Sequence, residues 1–381
     1  SNMLPSLNNL FFYIFQVYNL CGWFDIKLLL IVVRGMILAQ HFPVTITKRT
    51  VAFNQDLKAL ECSPEVEPQF LFHWLRGKSY EILGLADEAA HGTKRLQTDR
   101  LKNLPLHLPP LPTQKKIAAI LSGYDDLIEN NTRRIKILEE MAQTLYDEWF
   151  VKFRFPGCEQ VQMVESELGA IPERWEIKQL SDVCVRITDG SHWSPKSTDD
   201  GYPMASVKDM HTWGFNLKTC RKISQQDYQK LVKNDCKPLK NDVLIAKDGS
   251  YLKHIFVTEE EQEMVILSSI ALLRPADNIL PYILSSYLLQ PSIKTRMSGY
   301  VSGVAIPRII LKDFRNFSIL VPPIVLQKKY YELTESMITN CHQLIKKNHN
   351  LRQTRDLLLP KLISGEIDVE RLDITTEEIA A

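Results

Sequence analysis

The residues best equipped for specific chemistry sit on three short turns in the second half of the chain. Thr188-Asp189-Gly190-Ser191 runs into His192-Trp193, and Lys247-Asp248-Gly249-Ser250 runs into Tyr251-Leu252-Lys253. The third, Ser298-Gly299-Tyr300-Val301-Ser302-Gly303, precedes Arg308. Glycine lets a backbone approach an anion closely. The N–H groups of such turns can then meet phosphate oxygens, while their side chains reach base edges. The candidate contacts are Ser191, His192, Lys247, Ser250, Tyr251, Lys253, Tyr300, Ser302 and Arg308. Arg308 has three readings: a guanine contact, a phosphate contact, or the partner of a neighbouring carboxylate. Ordinary solvated turns are the competing reading for each residue taken singly.

Catalytic patterns are largely absent. Arg76-Gly77-Lys78-Ser79 ends like a phosphate-cradling loop, but no glycine lies five residues before Gly77. Val321-Pro322-Pro323-Ile324 lacks the Asp or Asn with which an adenine methyltransferase holds its target amino group. The nine histidines show no His-x-x-x-His metal spacing. Asp125-Asp126 falls on the outer face of a long helical pattern, where carboxylates simply solvate. These patterns predict a chain that performs no catalysis by itself and holds no metal.

Composition narrows the class further. A net charge of +1 over 381 residues excludes a polybasic arm, so any nucleic-acid face must be local. Seven scattered cysteines with no Cys-x-x-Cys pair fit reduced thiols in a cytoplasmic protein. The apolar stretch from Leu10 to Ala39 is interrupted by Asp25, Lys27 and Arg34. Its uninterrupted runs are too short to span about 30 Å of hydrocarbon, so buried strands are expected and a membrane segment is not.

The elements that position the turns are announced by a repeat. Leu106-His107-Leu108-Pro109-Pro110-Leu111-Pro112-Thr113-Gln114-Lys115-Lys116 returns 213 residues later as Ile319-Leu320-Val321-Pro322-Pro323-Ile324-Val325-Leu326-Gln327-Lys328-Lys329. After each Pro-Pro stop a seam steps by four and three. The first runs through Ile117, Leu121, Tyr124, Ile128, Asn131, Ile135, Leu138, Ala142, Leu145 and Trp149. The second runs through Tyr330, Thr334, Met337, Cys341, Leu344, Asn348, Leu351, Arg355, Leu358 and Leu362. Such 3.5-residue spacing predicts a coiled-coil seam, and helices around Ala118–Val151 and Lys329–Leu362 are expected to pair antiparallel. Asn131 and Asn348 are expected to fix its register, a wet polar edge being the plainer alternative. A helix of roughly 38 residues would be about 57 Å long, a strut able to hold two binding faces at a set separation.

The expected organisation is α+β, with two globular modules separated by two long helices in an antiparallel, pseudo-two-fold arrangement. Residues 1–34 form an atypical apolar segment, 35–108 a shortened first module, and 109–157 the first long helix. Residues 169–321 form the second module, 322–365 the second long helix, and 366–381 an acidic tail. Gly35-Met36-Ile37-Leu38-Ala39 is aligned with Asp242-Val243-Leu244-Ile245-Ala246, and Leu101-Lys102-Asn103-Leu104 with Phe314-Arg315-Asn316-Phe317. The opening strand of the second module and its Asp-Gly-Ser-His turn find no match, so the first module reads as having lost its front.

These residues resemble the specificity subunit of type I restriction–modification enzymes. The resemblance spans roughly Gly35 to Glu370. It includes the Pro-Pro repeats, Leu138-Glu139-Glu140-Met141-Ala142-Gln143 and Trp149-Phe150-Val151-Lys152-Phe153-Arg154-Phe155-Pro156-Gly157. It also includes Ile171-Pro172-Glu173-Arg174-Trp175, Ala305-Ile306-Pro307-Arg308 and Leu359-Pro360-Lys361-Leu362-Ile363-Ser364-Gly365-Glu366-Ile367. The resemblance implies two target-recognition domains, a bipartite double-stranded DNA site with a non-specific gap, and methyltransferase and restriction–translocase subunits as partners. It further implies that S-adenosylmethionine, ATP and Mg are bound by those partners, with no cofactor in this chain. Trp149, Phe150, Leu358 and Leu362 are then expected in the methyltransferase docking surface, the alternative being packing against this chain's own modules. A specificity subunit that reads one half-site only, and a coiled-coil adaptor that binds no DNA, are the rival functions.

Overall fold

The computed structural model describes residues 15–18, 23–24, 28–89, 92–303 and 306–374. The expectations for the start of the chain, for Ala305 and for the last seven residues of the acidic tail lie largely outside them. The chain divides into two compact units, Ser1–Arg134 with Gln343–Ala381, and Ile135–His342.

The first unit is built on four antiparallel strands: β1 (Phe15–Tyr18), β2 (Leu29–Val32), β3 (Val44–Ile46) and β4 (Leu57–Cys62), in the order β1-β4-β2-β3. The central run Leu29-Leu30-Ile31-Val32 is apolar throughout because both its faces are covered. Leu29 and Ile31 join Phe70, Trp74 and Leu75 of the helix Pro68–Gly77, while Leu30 joins Phe53 and Ala59. The sheet of the second unit has the same order. It comprises β5 (Cys184–Asp189), β6 (Val243–Ala246), β7 (Ile255–Val257) and β8 (Ile270–Pro275), running β5-β8-β6-β7, again antiparallel. Here Val243 and Ile245 face one core, and Leu244 and Ala246 another.

This topology corrects two expectations about the first module. Its sheet reaches back to Phe15, so a boundary at residue 35 cuts into it. The strand equivalent to Val243–Ala246 is Leu29–Val32, whereas Met36–Ala39 forms a single 3-10 turn. The sequence alignment slipped because Gly35-Met36-Ile37-Leu38-Ala39 is as apolar as the strand just before it. What the first module lacks is the long connection after its edge strand. Ten residues (19–28) join β1 to β2, whereas fifty-three (190–242) join β5 to β6.

Two long helices follow the sheets, α1 (Leu111–Tyr146) and α2 (Ile324–Ile363). α1 is continued by one π turn, Asp147–Val151. The repeated glutamine of the Pro-Pro motif explains how each starts. Gln114 is buried; its Oε1 accepts from the Glu67 N–H at 2.9 Å, and its Nε2 donates to the carbonyls of Glu65 at 3.0 Å and Pro109 at 2.9 Å. Gln327, equally buried, accepts from the Leu280 N–H at 2.8 Å and donates to Asn278 at 3.0 Å and Pro322 at 2.8 Å. Glu67 and Leu280 are the N-cap residues of the helices Pro68–Gly77 and Pro281–Leu289, and neither caps its own helix with a side chain. A side-chain amide from the long helix therefore satisfies a backbone group that the local sequence leaves open.

Seam residues meet in opposite chain directions inside each unit. In the first, Asn131 Nδ2 donates to Asn348 Oδ1 at 2.9 Å, and Asp125 receives Arg355 as well as Arg76, the latter at 2.7 Å. Asp125 is thus an ion-pair hub between three helices and not the merely solvated carboxylate that the sequence suggests. In the second, Tyr330 Oη donates to the Ala142 carbonyl at 3.1 Å, and the Cys341 thiol faces the Ile135 carbonyl. Gly77, whose loop the sequence excluded as a phosphate cradle, serves packing: a Cβ there would come within 2.4 Å of Ile363 Cδ1.

Two predictions follow from these contacts. Gln327→Ala strands the Leu280 N–H and two carbonyls, and at about 1–3 kcal/mol for a stranded group the second unit should lose about 2–4 kcal/mol in urea unfolding. A loss below about 1 kcal/mol would show that the amide holds little. His73 is buried with Nε2 3.3 Å from Ser122 Oγ, and burial pushes its pKa down to about 4, opposed by Asp125 and assisted by Arg76 and Arg355. The unfolded chain takes up this proton near pH 6.5, so between pH 6.5 and 4 acid favours unfolding, by about 1.4 kcal/mol per pH unit. His73→Phe should flatten that part of the first unit's stability–pH curve, and an unchanged slope would remove His73 as its cause.

Candidate nucleic-acid interface

The three turns singled out in the sequence converge at one edge of the second unit. β5 ends at Asp189, and the turn after it lies against the strand Val265–Ile266. Ser191 N–H donates to the Ile266 carbonyl at 2.9 Å, and the Ser268 N–H donates to the Ser191 carbonyl at 3.0 Å. Only glycine permits this approach at position 190, where a Cβ would lie 2.1 Å from the Ile266 oxygen. β6 leads directly into the second turn. Lys247 Nζ stands 3.2 Å from Asp189 Oδ2 and 3.2 Å from Asp248 Oδ1, tying the second turn to the first. The third turn is tied in through backbone: Asp248 pairs with Arg308, Ser302 with Arg308, and the Ile309 N–H donates to the Lys247 carbonyl at 3.1 Å.

Burial divides the candidates into two groups. Ser191 is buried, and its Oγ donates to the Trp193 carbonyl at 2.6 Å and accepts from the Trp193 N–H at 3.1 Å. The Lys247 side chain is only 7% exposed between its two carboxylates. Tyr251 packs on the core, and Tyr300 lies edge-on to Phe314 and Phe317. These four hold the turns in place and are corrected from contacts to supports. An ammonium facing two carboxylates is already neutralised, and the two half-buried rings are engaged in packing on the core. His192, Ser250, Lys253, Ser302 and Arg308 are exposed. His192 Nε2 lies 3.2 Å from Asp189 Oδ2, so it shares a carboxylate with Lys247.

Trp193 belongs with the exposed group and was absent from the candidates. The residue is 44% exposed, and Nζ of Lys230, on the helix Gln225–Lys233, lies 4.3 Å from the centre of its ring. The available signal was an indole in a polar turn, outside any apolar period.

The four residues expected at a partner surface are placed differently. Trp149 and Phe150 lie in the core of the second unit, against Tyr146, Trp175 and Tyr330. Leu362 is buried in the core of the first unit, and Leu358 is half-buried against it. Packing against this chain's own modules is therefore what these side chains do. Trp149 and Phe150 both lie in the one π turn that continues α1, and both are buried there.

The model of the type I restriction modification DNA specificity domain matches residues 30–140 and 172–352. The chain belongs to the type I restriction–modification DNA specificity family. Its first matched stretch opens inside β2, ahead of the Gly35 boundary. A relative, the type I restriction enzyme MjaIX specificity subunit of Methanocaldococcus jannaschii, is 26% identical over 341 residues, 86% of this chain and 76% of that protein. The HindI specificity subunit of Haemophilus influenzae is 26% identical over 375 residues, 79% of this chain and 78% of that protein. The fold is similar to the crystal structure of a type I S subunit from M. genitalium, with a TM-score of 0.54 at 18% identity over 90% of this chain and 84% of that one. Among the described residues no helix is long and apolar enough to cross a membrane.

Lys247→Ala should destabilise the second unit by about 3 kcal/mol. This is the lower part of the range for breaking a buried pair, because Asp189 and Asp248 keep some solvent contact. Urea unfolding checks this, and an unchanged midpoint would return Lys247 to the list of surface contacts.

Proposed function

We propose that the chain is the sequence-reading subunit of a type I restriction–modification complex. Its second unit presents the principal reading face to double-stranded DNA. The observation that carries this is the convergence of three turns, spread over residues 189 to 308, into one edge where exposed donors stand on a tightly braced backbone. Phosphates fix a protein's position on a duplex, whereas groove contacts select sequence. Here His192, Ser250, Lys253 and Ser302 are suited to positioning, and Arg308 to a guanine edge.

The wider reading follows the family. The two long helices pair as an antiparallel coiled coil, the units form a pseudo-two-fold repeat, and the DNA site is bipartite. Methyltransferase and restriction–translocase subunits are the partners of this chain in the cytoplasm. They bind S-adenosylmethionine, ATP and Mg and carry out methyl transfer and cutting, while this chain catalyses nothing.

Arg308→Ala tests the reading face. Loss of a base-reading arginine should weaken binding by about 1–3 kcal/mol and relax one position of the selected sequence. A uniform loss over all sequences would make Arg308 a phosphate contact, and no loss would remove this edge from the interface.

A further inference from the structure

The strand pair that carries Arg308 in the second unit has an equivalent in the first, with different charges. Arg34 stands directly opposite Arg95 in antiparallel register, where the second unit sets Asp248 opposite Arg308. Both arginines of the first unit are exposed. Like charges opposed across two strands repel each other, a cost that an external anion between them would remove. The next residue across the sheet is Asp87, which faces Arg95, but its carboxylate is engaged by Arg100 at 2.6 Å and Gln97 at 2.7 Å. Lys58 adds to the same field. Burial lowers its pKa, Lys102 and Arg95 lower it further, and only Asp99 opposes them.

The same unit is poor in the parts that read sequence. The connection after its edge strand is ten residues long against fifty-three in the second unit, too short for the helix Gln225–Lys233 together with the strands that frame it. It retains cations and lacks the long insert that frames the exposed donors of the second unit. We infer that Arg34 and Arg95 hold the duplex by its backbone as ligands to phosphate, and that this pair adds affinity without itself selecting bases. Equivalent β-pairs then do different work: the pair in the first unit grips the backbone, while Arg308 in the second reads a base. This inference rests on the DNA reading proposed above.

The test uses the full-length chain and a duplex library with a randomised core, bound at several salt concentrations. The Arg34→Ala/Arg95→Ala variant should lower the slope of log affinity against log salt by about 1.8, the value for two phosphates. It should weaken every sequence alike and leave the selected pattern unchanged. Arg34→Lys/Arg95→Lys should restore both slope and affinity, because a phosphate accepts a point charge, whereas a guanine edge needs the guanidinium fork. A changed base pattern that lysine fails to restore would overturn the inference in favour of base reading. An unchanged slope would overturn it by showing no contact. Arg308→Ala, run in parallel, separates the two levels. Relaxed selection there with an unaffected arginine pair leaves the reading face standing and removes only the grip. A wild-type chain with no salt-dependent duplex binding removes both.

Discussion

A buried side-chain amide sets the geometry on which much of each unit depends. Gln114 and Gln327 each use both ends of the amide, accepting from one backbone N–H and donating to two carbonyls. Buried polar groups must find partners, and here the N-terminus of a short helix and the Pro-Pro step before the long helix supply them. The long helix thereby starts at a defined point and angle relative to the helix covering the sheet. The Pro-Pro step works with it, since proline pre-sets the turn into the helix and, in the second unit, ends the pairing of the strand Ser318–Val321.

The seam of the helices then obeys a second polar constraint. Asn131 and Asn348 sit at 8% and 3% exposure and bond to each other, and Asn348 also reaches the Thr132 hydroxyl at 3.3 Å. A slip of one turn would set each amide against an aliphatic neighbour and leave it unsatisfied. Asp125 repeats the logic nearby, since Arg355 and Arg76 meet it from two different helices. Aromatic packing takes over in the second unit, where Tyr330 lies edge-on to Tyr146, Trp149 and Phe150. Edge-to-face contacts are directional, so this cluster orients the end of α1 as well as burying it.

Much of this was legible in the sequence, because periodicity records burial. The seam frame picked out Ile117, Leu121, Ile128, Asn131, Tyr330, Thr334, Cys341, Leu344 and Asn348, all of which are buried. The three turns were legible from glycine and hydroxyl chemistry. What could not be read was which turn residues face outward. Lys247 follows four buried strand residues and resembles any surface lysine until Asp189, 58 positions earlier, is brought beside it. Trp149 and Phe150 were misplaced because large apolar groups at the end of a long helix read equally as a docking surface or as core, and only the packing of the second unit decides. The first sheet was misregistered because two adjacent apolar runs compete for one strand position, and only pairing with β4 decides between them.

The charge facing Arg308 bears on what that arginine prefers. A carboxylate on the paired strand repels a phosphate but costs little beside the neutral acceptors of a guanine edge. Asp248 stands in that position in the second unit, with its own charge partly met by Lys247. In the first unit the same position holds Arg34, and the one acidic residue across from Arg95 is occupied by Arg100. On the proposed DNA reading, the same backbone frame would bias one arginine towards bases and the other towards phosphates.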